Sequence, residues 1–161
     1  MLKRWADAVR RNHALEHATV AVLLARHGPT RIAGRASVDG FLIAGDVDSE
    51  ELTSCAREAL GRLQQGQAGL AVSPLCGTNI AVAGAMAAAA ATAALAGGKR
   101  GDRFPNAFMA AMVAVVAAQP VGRLVQQHLT TRPDLDDVEI VDTKRVFRGL
   151  KKVRTRSVAA G

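Results

Sequence analysis

Over residues 3–26, apolar Ala and Leu are plentiful and mixed with Glu and Arg, all good helix formers. No Gly or Pro intervenes, and His27-Gly28-Pro29 supplies a stop, which predicts one helix over 3–26. Two shorter elements follow. Residues 31–36 and 40–44 read as two strands joined around Val38-Asp39-Gly40, because an Asp-Gly pair favours a tight hairpin turn. Helical spacing then appears in Leu52, Cys55, Ala56, Ala59, Leu60 and Leu63, behind Asp48 or Ser49 as cap and ahead of Gly66 as terminator. Of that helix, Leu52, Ala56, Ala59 and Leu63 are expected to face the strands and Glu51, Glu58 and Arg62 to face solvent. A brief strand over 69–73 is expected before Pro74.

The pattern then changes in kind. Leu75 to Gly98 contains no charged residue, and a second uncharged run extends from Phe104 to Gly122 after the charged turn Lys99-Arg100-Gly101-Asp102-Arg103. At 1.5 Å per residue the centre of the first run is long enough to cross a hydrocarbon core of roughly 30 Å with modest thinning or tilt. A soluble pair of helices would need a polar face, and the first run has only Thr92 over its central turns. Ala-rich segments partition weakly into lipid, so the soluble pair stays open, but length and lack of charge favour a transmembrane hairpin. Gly84, Ala88, Thr92 and Ala96 would then let the two backbones approach closely. Beyond it, residues 123–131 continue as helix until Arg132-Pro133-Asp134, 138–141 reads as a strand, and the tail from Thr143 carries seven basic residues over 144–156 with no acidic one. Such a tail is expected to be solvated and disordered, with anionic lipid headgroups or RNA as the partners its charge would otherwise suit.

Composition sharpens this organisation. The 161 residues are 49% hydrophobic and only 3% aromatic, with 22% charged, so charge and apolar surface are segregated along the chain. A net charge of +7 suits nucleic acid or an anionic membrane, and the absence of aromatic stacking platforms favours the membrane. Most Lys and Arg lie outside the interhelical loop, which carries Lys99, Arg100 and Arg103, so both termini are expected on the cytoplasmic side of a bacterial inner membrane. The two cysteines, Cys55 and Cys76, make no disulfide framework and suit a reducing compartment. Asp7, Arg10 and Arg11 interrupt the N-terminus where a signal peptide would need an apolar stretch.

The chemistry-bearing residues cluster near the start. His13, Glu16 and His17 share one helix face, in the His-x-x-Glu-His order of inverted zinc peptidases, where two imidazoles hold the metal and the carboxylate takes a proton from bound water. With only three fixed letters the string recurs by chance, and taken alone it favours a hydrogen-bonded trio on a packed helix over a metal site. A second polar cluster, Cys76-Gly77-Thr78-Asn79, opens the first apolar run. Cys76 there is a candidate third ligand, made more acidic by the helix N-terminus, or else a small buried residue beside a cap from Thr78 or Asn79. His27 reads as a helix-end residue, and His128 as the one remaining candidate for a fourth position.

"NHALEHATV", "AGRASVDGFLIAGDV", "REALGRLQQGQAGLAVSPLCGTN" and "AQPVGRLVQQHLTT" together resemble a family of small bacterial membrane proteins known only as a domain of unknown function, over roughly residues 11–142. The resemblance implies an integral membrane protein without an established activity. It also implies that a His often stands where this chain has Ser73, which removes one candidate ligand here.

The sequence therefore predicts an α+β cytoplasmic domain interrupted by a two-helix transmembrane hairpin. Its parts are 1–74 (helix, hairpin, helix and strand), 75–126 (the hairpin), 127–142 (a returning helix end and strand) and 143–161 (the basic tail). The expected function is membrane-associated binding, alone or with a protein partner or second copy, through a polar site at the membrane face. That site comprises His13, His17 and Cys76 as candidate zinc ligands, with Thr78, Asn79 and His128 nearby. The alternative is a membrane zinc hydrolase with Glu16 as its base.

Overall fold

The computed structural model describes residues 2–97 and 101–158. The chain forms two compact units, one of residues 1–73 and 127–161 and one of 74–126. Lys99 and Arg100 of the interhelical loop, and the last three positions of the tail, lie outside the described residues.

The first unit is mixed α and β. Helix α1 (Leu2–His27) ends in Arg26 and His27, and Gly28 follows at φ 72°. Strands β1 (Ala33–Ser37) and β2 (Gly40–Ala44) form the expected hairpin. Helix α2 (Ser49–Gln64) is capped by Asp48, whose carboxylate accepts from Glu50 N–H at 2.7 Å. Leu52, Cys55, Ala56, Ala59, Leu60 and Leu63 are its buried stripe, but that stripe packs chiefly on α1, with only its edge against the sheet. The segment expected as a strand over 69–73 is instead a 3₁₀ turn, Ala68–Ala71: Leu70 and Val72 donate their N–H groups to Gln67 and Gly69, one turn back.

The largest departure is the basic tail. Residues 138–147 and 150–157 are two full strands, β3 (Val138–Phe147) and β4 (Leu150–Ser157), in one antiparallel sheet of order β1-β2-β4-β3. Expected as a solvated end, this segment supplies a central strand. The physical reason lies in its alternation: Val153 pairs with Phe41 and Lys151 with Ile43 on the face covered by α1 and α2, while Lys152 and Arg154 take the open face. Arg148-Gly149, with Gly149 at φ 76°, makes the two-residue turn. Leu15, Leu23, Phe41, Ile43, Leu52, Leu135 and Val153 form the core.

The second unit is a pair of packed helices, α3 (Gly77–Ala96) and α4 (Arg103–Val125), each long and apolar enough to cross a membrane. Small residues do line the seam: Ala107, Ala114, Ala118 and Gly122 of α4 are buried, Ala83, Ala87 and Ala90 of α3 are half-buried, and a Cβ on Gly122 would meet Asn79. The expected stripe of Gly84, Ala88, Thr92 and Ala96 lies instead on the exposed side of α3, where a Cβ on Gly84 would meet nothing within 4 Å. Helical phase explains this, since Asn79 is set against Gly122, and positions five, nine and thirteen residues on from Asn79 turn away.

Candidate functional site

Most surface helices bury one stripe. α1 buries Asn12, Ala14, Leu15, Glu16, His17, Ala18 and Thr19 in succession, because α2, β1 and the 3₁₀ turn surround this stretch. Polar side chains hold it in place. Asn12 donates Nδ2–H to Ser37 O at 2.8 Å and accepts from Thr155 Oγ1 at 2.6 Å, tying α1 to β1 and β4. Arg11 reaches Asp137 at 2.9 Å and Asp134 at 3.1 Å. Burial raises the Asp134 pKa, yet hydrogen bonds from Arg11 and Arg132 outweigh it and hold the carboxyl below its ordinary value.

The two histidines use the same nitrogen in the same way. His17 Nδ1 lies 2.8 Å from Ala71 O and His13 Nδ1 lies 2.9 Å from Thr130 O. A carbonyl oxygen only accepts, so in both rings Nδ1 carries the proton, and in the neutral imidazole Nε2 carries the lone pair. The rings stand 4.3 Å apart, edge to face at 61°. Orientation of one ring nitrogen by a backbone carbonyl is the usual support of a metal-ligating imidazole. Glu16 is buried between them in sequence, with Oε2 4.0 Å from His13 Nε2. Its carboxylate occupies the space above Gly34, where any Cβ would overlap Oε1, Cδ and Cγ.

In the second unit, Cys76 is buried and is itself the N-cap of α3, its Sγ accepting from Thr78 N–H at 3.4 Å. Thr78 thus contributes its backbone rather than a capping hydroxyl. Asn79 is buried, donates to Pro74 O at 3.1 Å and accepts from Gln126 Nε2 at 2.8 Å. His27 is half exposed and lies 3.2 Å from Glu51 at the helix end. The His128 side chain is exposed, and it is its carbonyl that is used, by Arg10 Nη2 at 2.8 Å.

Ala71 O, Thr130 O, Gly34, Asn12 and Gln126 were beyond the sequence pattern. Of these only Gly34 left a signal, as a glycine inside a strand, which often marks a close approach. Thr130 belongs to a π-helical turn, Gln126–Thr130, with no compositional mark.

These features define a class: a small α+β protein with a His-Glu-His cluster, buried at Glu16 and His17 and half-buried at His13, and two helices of bilayer-spanning length. The chain belongs to the family described as a domain of unknown function, DUF6391, whose model matches residues 8–143. It is similar to an uncharacterized protein of Picosynechococcus sp. (strain PCC 7002), 37% identical over 139 residues that cover 76% of this chain and 65% of that protein. The chain therefore spans somewhat less than two thirds of that relative's length. No solved structure matches it.

Proposed function

We propose that this protein is a membrane-anchored metal-binding protein, with α3 and α4 as its bilayer hairpin and His13, His17 and Cys76 as ligands to zinc. The observation that carries the reading is the shared tautomer of the two histidines, since two neighbouring rings both orient a basic Nε2 by giving Nδ1–H to a carbonyl. Two imidazoles from one helix face and one thiolate make a donor set of the kind that suits zinc. Chain connectivity supports Cys76 as the third ligand: Ala71, bonded to His17, precedes it by five residues, a span of at most about 18 Å.

Exposure supports the anchor. Phe104 is 78% and Val116 71% exposed on α4, and a helix that is apolar on its outer faces needs lipid or a partner to cover it. Basic residues concentrated outside the loop favour cytoplasmic termini in a bacterial inner membrane. A hydrolase is the second reading, favoured by the burial of Glu16 and its 4.0 Å approach to His13 Nε2. That carboxylate would take a proton from water activated at the site.

Elemental analysis of the purified full-length protein tests the metal. Near-stoichiometric zinc is expected, lost in His17→Ala and Cys76→Ala and kept in Glu16→Gln. Folded wild-type protein without metal would end both readings, and full function in Glu16→Gln would end the hydrolase alone. Retention in membranes through alkaline carbonate tests the anchor.

A further inference from the structure

The turn between β3 and β4 reads Arg145-Val146-Phe147-Arg148-Gly149-Leu150. It is a braced element, because Phe147 pairs with Leu150 across the loop and Gly45 donates its N–H to Gly149 O at 2.9 Å. A register shift between Arg145 and Phe147 inserts Val146 as an extra residue in the edge strand, a bulge that re-aims the side chains around it. Phe147 is left 74% exposed and Val146 58% exposed, side by side at the tip. Two large apolar side chains held out by a rigid turn gain nothing from water and would gain from an apolar medium.

The charges around them are equally unspent. Arg145 and Arg148 flank the pair, and Arg31 lies at the same end of the sheet, its carbonyl next to Gly45. Among the described residues none of these three makes an ion pair with a carboxylate, whereas Lys144, Lys152, Arg154 and Arg156 elsewhere on the sheet are matched by Asp142, Asp39 or Glu139. The exposed Asp46 is the acidic residue that follows Gly45 in the chain.

The geometry points to a lipid-contacting tip: Val146 and Phe147 enter the headgroup boundary of an anionic bilayer, and Arg145, Arg148 and Arg31 bind lipid phosphates. Apolar residues ringed by unpaired arginines are complementary to that surface, whose interior takes the side chains and whose negative potential holds the charges. Single-stranded nucleic acid would need a run of stacking rings, and this tip has one aromatic next to an aliphatic residue. The inference draws on the proposed α3–α4 anchor in one respect, that a tethered tip meets the bilayer at high effective concentration.

Trp5 is the chain's one tryptophan, so a Trp5→Phe, Phe147→Trp protein reports on the tip alone. The full-length variant is reconstituted into vesicles of phosphatidylcholine, or of equal phosphatidylcholine and phosphatidylglycerol, with bromine-labelled acyl chains. In the anionic vesicles its emission is expected to shift to the blue and to be quenched, and both effects are lost when Arg145→Glu and Arg148→Glu are added. Water-like, unquenched emission in both vesicle types overturns the proposal. So does a response to single-stranded RNA in place of lipid. Carbonate extraction of the same vesicles reads the anchor separately: a protein that washes off, yet is still quenched when anionic vesicles are added back, keeps the tip and loses the anchor.

Discussion

Replacing Gly34 by Ala should destabilise the protein, and nearly all of the cost should be traceable to one side chain, Glu16. Gly34 is not among the glycines with positive φ, so its backbone accommodates any residue. Taken alone, the change would favour the folded state by about 0.4–1 kcal/mol, through the lower entropy of the unfolded chain. Against this, the new Cβ would fall on Oε1, Cδ and Cγ of Glu16. A carboxylate at the end of a flexible side chain can often swing aside. This one is buried, and α1 is tied to the sheet by Asn12 through Ser37 O and Thr155 Oγ1, so neither the side chain nor the helix yields easily. Overpacking of this kind costs about 1–3 kcal/mol. For a chain of this size that is a fall in Tm of roughly 2–12 °C. Thermal unfolding followed by circular dichroism, on wild type, Gly34→Ala, Glu16→Ala and the double variant, isolates the pair. With Glu16 truncated, Gly34→Ala should be neutral or slightly stabilising. An equal cost in both backgrounds would refute the contact.

Three further outcomes follow from the same unit. Leu60→Asp, which places an unpaired charge in the stripe of α2, should cost at least about 3 kcal/mol, against less than about 0.5 for the exposed Arg57→Ala; similar Tm values for the two would show the helical face to be misassigned. Asp134 has its folded pKa depressed, so the stability it confers is present above its ordinary value of 3.8 and is lost as pH falls through the lower folded value. The Tm advantage of wild type over Arg11→Ala should therefore be full near neutrality and shrink below about pH 4, and an advantage that grows in acid would reverse the argument. Burial, with Glu51 as hydrogen-bond acceptor, pushes the Cys55 thiol up to about 11, so Cys55 should resist maleimide in the folded protein near pH 8 and react on unfolding.

How much of this was legible depends on whether the cause was local. Helices α1 and α2, the Asp-Gly hairpin and the two uncharged runs announce themselves through periodicity, caps and length, all of which act within about twenty residues. β4 does not, because seven basic residues dominate its neighbourhood and their solvation is the stronger local signal. What overrides it is non-local: Phe41 and Ile43 of β2 offer an apolar face that Val153 and the stem of Lys151 can complete. The quieter signal was present in Val-Phe-Arg-Gly-Leu, a two-residue Arg-Gly turn between short alternating runs. The stripe at Gly84 and Ala88 misled for a related reason, since small residues permit close approach on any face and say nothing about which face is used.

The trio of α1 shows the same division within one site. Spacing alone puts His13, Glu16 and His17 on a common face, but an imidazole becomes a ligand or a structural donor according to which nitrogen its surroundings claim. Ala71 and Thr130 make that choice, and both lie in irregular backbone, a 3₁₀ turn and a π-helical turn, whose carbonyls are available because no regular ladder takes them. A 69–73 strand, had it formed, would have directed the Ala71 carbonyl into a sheet. The departure from the expected secondary structure is thus the feature that orients His17, so the irregular segments of this fold are where its chemistry should be tested first.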